Sequence, residues 1–172
     1  TVRLWDVSSM ECVRVLRAHS DPVMSCAFSP DNTILASGGV DGICRIWDAA
    51  SGAALKSLVS PRNPPISSLV FAPNGRFILI STLDDAARLW SVTPGKVAKT
   101  YQGHRNKDHF VFSTFSVGRN RLVVSGSEDG HVCVYDLQTQ SMVAKLRAHN
   151  DLVAAVDAHS SRSMLASGGG HK

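Results

Sequence analysis

Apolar and polar positions alternate along this chain over short runs rich in β-branched residues, and a turn signal follows each run. Ser29-Pro30-Asp31-Asn32, Asp41-Gly42, Ala72-Pro73-Asn74-Gly75 and Asp129-Gly130 are such turns. Asp and Asn tolerate the left-handed backbone a tight turn needs, and Gly adopts it freely. The longest apolar stretches, such as Phe77-Ile78-Leu79-Ile80, are strand-sized. No stretch sustains a helical period of about 3.6. The pattern predicts an all-β protein of many short strands.

The alternation is itself repeated. Thr1-Val2-Arg3-Leu4-Trp5-Asp6, Cys44-Arg45-Ile46-Trp47-Asp48, Ala87-Arg88-Leu89-Trp90-Ser91 and Val132-Cys133-Val134-Tyr135-Asp136 place an aromatic residue at positions 5, 47, 90 and 135, at intervals of 42, 43 and 45. A second mark, Ala18-His19, Gly103-His104 and Ala148-His149, precedes three of the units. A third is a small-residue strand: Ala36-Ser37-Gly38-Gly39, Val124-Ser125-Gly126-Ser127 and Ala166-Ser167-Gly168-Gly169. A period of about 40–45 residues with four strands per unit is that of a propeller blade.

On these residues the chain resembles the WD-repeat β-propeller family over its whole length. The resemblance implies strands a to d in each blade, from the central channel outward. Strand a falls near 22–28, 66–71, 109–115 and 152–158, and strand b near 33–37, 77–82, 120–126 and 164–168. Strand c carries the aromatic marks, and strand d lies near 11–17, 53–58, 97–101 and 142–147. The divisions are then an outer half-blade (1–17), full blades at 18–58, 59–101 and 102–147, and an inner half-blade (148–172). That is about four blades' worth of a ring expected to have seven. Thr1 is not an initiator methionine, and joining the last residue to the first restores the interval of 42. The expectation is a piece of a longer propeller, or head-to-tail association with another copy.

His19, Ser37 and Asp41 look like a nucleophilic triad, but the repeat explains them better. Blades of this family tie His, Ser or Thr, Asp and Trp into a hydrogen-bonded tetrad. His19, Ser37, Asp41 and Trp47 match it, and His104, Ser125 and Asp129 match it with Tyr135 in place of Trp. The intervening unit has Asp84 and Trp90, but Ile80 stands for the Ser and Asn63-Pro64-Pro65 for the His dipeptide. A constellation that decays from copy to copy is structural, so no enzyme is expected. Trp5, Trp47 and Trp90 are expected in the core, and His109, His131, His159 and His171 on the surface or in loops.

Composition narrows the rest. Of 172 residues, 44% are hydrophobic and 19% charged, enough apolar content to bury a core. No run reaches the ~18–20 apolar residues of a membrane span, and no secretory signal is visible. The net charge of +4 is scattered without a basic block, so direct nucleic-acid binding is not expected. Cys12, Cys26, Cys44 and Cys133 form no CxxC pair and are expected as buried thiols in a reducing compartment. No metal site or cofactor is expected.

Two places depart from the repeat. Asp108-His109-Phe110-Val111-Phe112 opens an inner strand, where Phe110 and Phe112 share a face. That face either lines the channel and stacks on a guanidinium or packs in the core. Pro61-Arg62-Asn63-Pro64-Pro65 is either a recognition edge or a variant loop. Within the family, Ala18-His19-Ser20-Asp21-Pro22-Val23, Thr82-Leu83-Asp84, Lys99-Thr100-Tyr101, Phe115-Ser116-Val117 and Val124-Ser125-Gly126-Ser127-Glu128-Asp129 are similar to propeller scaffolds of histone lysine methyltransferase (COMPASS/MLL-type) complexes. This implies a nuclear, non-catalytic peptide-binding scaffold, with a cytoplasmic pool also open. A generic WD-repeat scaffold in RNA processing or signalling is the alternative. One implied site is the channel, where an arginine of a histone tail or methyltransferase segment would be held between two phenylalanines, Phe112 being one and the other expected on a blade outside this chain, with Ser67 a lining residue. There His109 and Phe110 stand for the family's Tyr and Cys, and Val40 replaces a rim Tyr. The other is a groove on the opposite face for an acidic, apolar peptide of a partner subunit, implied at Asn74, Phe77, Leu89, Lys99, Val117 and Gln138, with Phe77 in place of Tyr and Lys99 meeting an acidic side chain. The plain alternative is that Leu89 and Val117 are ordinary strand residues and Lys99 a solvated charge.

Overall fold

The computed structural model describes residues 1–116 and 121–170. Its described regular elements are all strands. A first pair, β1 (Val2–Asp6) and β2 (Glu11–Leu16), forms a two-stranded sheet. The next sheet runs β3 (Val23–Phe28), β4 (Ile34–Gly39), β5 (Ile43–Asp48) and β6 (Ala54–Val59). It is followed by β7 (Ile66–Phe71), β8 (Phe77–Thr82), β9 (Ala86–Ser91) and β10 (Lys96–Gln102). A third four-stranded sheet holds β11 (Ser113–Ser116), β12 (Leu122–Ser125), β13 (His131–Asp136) and β14 (Met142–Arg147). The last pair is β15 (Val153–Ala158) with β16 (Leu165–Gly169). Within each sheet sequential strands are antiparallel neighbours. The first strands of successive sheets pack on one another, β3 on β7, β7 on β11 and β11 on β15. Sheets fanned about their first strands make a partial β-propeller.

The core lies between the sheets. Alternate residues of one strand enter different clusters. Ile78 and Ile80 face the preceding sheet beside Ala36, Ile46 and Leu58, while Leu79 faces the following one beside Phe115, Val123 and Tyr135. Leu35 and Ala36 divide in the same way, as do Val123 and Val124. A strand buried on both faces must be apolar at both phases, which accounts for the run Phe77–Ile80. Burying each such side chain contributes about 1.5–3 kcal/mol.

Gly39 and Gly169 explain the Ser-Gly-Gly signature. A Cβ on Gly39 would sit 2.9 Å from His19 Nδ1, and one on Gly169 would sit 2.5 Å from His149 Cγ. The absent side chain is the space the histidine occupies.

Several expectations are corrected. Trp5 is 56% exposed, unlike Trp47 and Trp90, because its sheet has only β1 and β2 and no described strand roofs the indole. Cys44 and Cys133 are buried, but Cys12 is half-buried and Cys26 is exposed. The β1–β2 pair packs on Leu35, Trp47 and the start of β3, leaving the outer face at Cys26 and Phe28 uncovered. The inner strand expected from position 109 begins only at Ser113. The preceding amides are spent elsewhere: Lys107, Asp108 and His109 all donate to Glu128 Oε1, at 2.7, 2.7 and 2.9 Å. Phe110 and Phe112 therefore share no strand face. His131 opens strand β13, half-buried, and His171 lies outside the described residues.

Candidate peptide-binding groove

The polar network of the first full sheet is built as its spacing implies. The Trp47 indole donates to Ser37 Oγ at 3.0 Å, and Ser37 lies 2.8 Å from His19 Nε2. His19 Nδ1 lies 2.9 Å from Asp41 Oδ1, and Arg45 donates to Asp41 Oδ2 at 2.9 Å. Burial alone would raise the Asp41 carboxyl, but Arg45 and His19 hold it below the usual carboxylate range. Ser37 is fully buried, so the group is structural in placement and offers no exposed nucleophile.

In the third full sheet the same residue types are wired differently. Tyr135 OH meets His104 Nδ1 directly at 3.0 Å. Ser125 instead accepts from Ser113 at 2.9 Å and donates to the Gly126 carbonyl, and Ser81 donates to Ser113 at 2.7 Å. Asp129 pairs with Lys145 at 2.7 Å, with His131 Nδ1 at 3.2 Å. The expected tetrad of His104, Ser125, Asp129 and Tyr135 is thus not closed. A phenol reaches the imidazole itself, where an indole N–H stops at the serine. Burial pushes His104 down to about 4, so the ring is neutral, and its Nε2 is buried without a partner. In the second sheet Ile80 stands opposite Arg88 in the register Ser37 holds opposite Arg45, and Thr82, Asp84 and Arg88 form a separate cluster.

The channel residues are not assembled as implied. Ser67 is fully buried, donating to the Val111 carbonyl at 2.9 Å and accepting from Asn106 Nδ2 at 3.1 Å. It lines no open surface. Phe112 is 40% exposed and Phe110 half-buried, on a loop tied down by Glu128. Burial opposes the Glu128 charge, but the three backbone amides outweigh it and hold the carboxyl below its usual range. His109 is exposed, and its Nδ1 lies 4.0 Å from Glu128. The Pro61–Asn63 segment is exposed, with Asn63 at φ +44°.

The groove residues do come together. A cavity of about 650 Å³ between the second and third four-stranded sheets is lined by Asn74, Phe77, Leu89, Lys99 and Gln138. Val117 lies outside the described residues. Leu89 is also a core residue, 5% exposed, so it forms the groove floor. Phe77 is half-buried, and Asn74 at the rim is exposed and turns its Oδ1 onto the Arg76 amide. Lys99 does not project freely. Its ammonium donates to Leu137 O at 2.7 Å, Gln138 O at 2.8 Å and Gln138 Oε1 at 3.1 Å. Phe115, Arg121 and Leu122 also line the cavity and were not foreseen. Sequence carried no signal for Arg121, whose place beside Gln138 is set by a backbone contact, its carbonyl accepting from the Leu137 amide.

An all-β fan of sheets with an interior His-Ser-Asp-Trp network and a cavity between blades defines a partial WD β-propeller. The family model "WD domain, G-beta repeat" matches residues 10–48, 52–91 and 95–136, and the chain belongs to that family. It is 28% identical over 150 residues to WD repeat-containing protein VIP3 of Arabidopsis thaliana, covering 87% of this chain and 36% of that protein. It is 39% identical over 59 residues to nuclear distribution protein PAC1 of Coccidioides posadasii, covering 34% and 12%. It is 38% identical over 58 residues to transducin beta-like protein 3 of Bos taurus, covering 34% and 7%. The chain thus spans 7% to 36% of the length of these relatives.

Proposed function

We propose that the chain is a non-catalytic scaffold module that docks an extended, acidic and apolar segment of a partner protein in the groove between its second and third full blades. The carrying observation is the cavity that gathers Asn74, Phe77, Leu89, Lys99 and Gln138 from strands and turns of two neighbouring sheets. An apolar floor with polar ends and cationic side chains suits an extended peptide with alternating apolar and acidic residues. These residues also resemble the partner-peptide groove of WD repeat-containing protein 5, the propeller subunit of histone lysine methyltransferase complexes, with Phe77 in place of its Tyr. On that resemblance the module serves a chromatin-modifying complex in the nucleus. The buried Ser67 and the altered residues His109, Phe110 and Val40 speak for the groove over the arginine channel.

A second reading keeps the fold and changes the client. The relatives carry unlike names, which favours a WD-repeat scaffold with a different client, RNA processing and signalling being the alternative roles proposed. The test for both is calorimetric titration of the chain with an octapeptide of alternating glutamate and leucine. Binding that Phe77→Ser weakens while the thermal unfolding midpoint is kept supports the groove. Binding unchanged by Phe77→Ser, or none at all, retires it.

A further inference from the structure

We infer that Arg121, and not Lys99, is the cation through which the groove recognises an acidic segment, Lys99 serving as a latch between neighbouring sheets. The inference rests on the groove reading above and names its charge-selecting residue.

The assignment of Lys99 follows from a device that occurs three times. Arg14 stands opposite Leu4, Lys56 opposite Ile46 and Lys99 opposite Leu89, the same register position on the outermost strand of three successive sheets. Each reaches across the seam to carbonyls of the turn that follows the aromatic strand of the next sheet. Arg14 donates to Ser51 O at 2.6 Å and to Ala50 O at 2.8 Å. Lys56 donates to Val92 O at 3.1 Å and to Thr93 O. Lys99 donates to Leu137 O, Gln138 O and Gln138 Oε1, at 2.7, 2.8 and 3.1 Å. An ammonium has three donors and no more, so the donors of Lys99 are consumed by the adjacent blade. The recurrence at the two earlier seams ties the position to sheet-to-sheet attachment. At the next equivalent position, opposite Val134, stands Ala144.

Arg121 is placed otherwise. It is exposed, it lines the cavity beside Leu122 and Gln138, and its backbone carbonyl is anchored by the Leu137 amide at 3.0 Å. Among the described residues no side-chain hydrogen bond or ion pair engages its guanidinium. A guanidinium takes a carboxylate in a bidentate, planar contact that an ammonium cannot reproduce. Fixed at its backbone next to an apolar floor of Phe77, Leu89 and Phe115, it sets a carboxylate requirement at one end of an otherwise apolar groove.

The test compares the glutamate–leucine octapeptide with its glutamine–leucine counterpart, titrated calorimetrically at low salt into the wild-type chain, Arg121→Gln and Lys99→Gln. The expected result is about a fivefold preference for the acidic peptide in wild type, abolished in Arg121→Gln and retained in Lys99→Gln. Lys99→Gln is also expected to lower the midpoint of thermal unfolding, while Arg121→Gln leaves it unchanged. A preference lost in Lys99→Gln, whether alone or in both variants, overturns the assignment while the groove reading stands. So does a preference retained in both variants, or equal wild-type binding of the two peptides. Absence of any wild-type binding instead overturns the groove reading itself.

Discussion

Replacing Ser37 by Ala removes one oxygen that serves two partners. The Trp47 indole N–H donates to it at 3.0 Å, and His19 Nε2 lies 2.8 Å from it. Ser37 is fully buried, so water does not replace the lost hydroxyl. Each orphaned buried group costs about 1–3 kcal/mol, and the expected loss is about 2–4 kcal/mol, a large share of ordinary domain stability. Ser125 supplies the internal control. It holds the same register, opposite Cys133 as Ser37 is opposite Arg45. There Tyr135 and His104 satisfy each other, and Ser125→Ala strands only the Ser113 hydroxyl and the Gly126 carbonyl's extra bond. Its expected cost is about 1 kcal/mol. Urea unfolding followed by tryptophan fluorescence and far-UV circular dichroism measures both. Equal costs for the two variants, or a Ser37→Ala cost below about 1 kcal/mol, would refute the reasoning that the two networks are wired differently.

Further expectations concern acid and the channel loop. His104 titrates at about 4 in the folded chain against its ordinary 6.5, so the unfolded chain binds more protons in between and stability falls as pH drops through that window. Between pH 7 and pH 5 the stability advantage of wild type over His104→Gln is expected to shrink by about 2 kcal/mol, and an unchanged difference would contradict a buried neutral imidazole. Glu128→Ala frees the amides of Lys107, Asp108 and His109. Their hydrogen exchange is expected to accelerate at least about tenfold, with β12 and β13 unaffected. Wild-type rates at those three amides would show that Glu128 does not hold the loop.

Much of the fold was legible because the repeat prints itself on residues that have one job. Trp47, Ser37, His19 and Asp41 are fixed by a chain of hydrogen bonds, so their spacing carries their geometry. The alternation and its turns showed short strands, and the family resemblance supplied their positions in each blade. What escaped depends on partners the local pattern does not contain. Tyr135 in place of Trp rewires its network because a phenol reaches the imidazole. Glu128 binds backbone amides, which leave no side-chain signature, and it delays β11 to Ser113. The exposure of Trp5 and Cys26 is set by neighbouring sheets. Ser67 shows its strand phase in sequence, but only the adjacent Asn106 and Val111 decide that it is buried. The groove residues were legible through resemblance. The role of Lys99 was not, because three seams must be superposed before the latch is visible.

A partner segment is proposed to dock at the seam between the second and third full blades. Amide chemical-shift mapping on the isotope-labelled chain, titrated with the glutamate–leucine octapeptide, tests it most directly. Shifts are expected to concentrate at Asn74, Phe77, Ala98, Arg121 and Gln138 and to saturate with the peptide. Shifts centred instead on His109 to Phe112, or on Pro61 to Asn63, would contradict it.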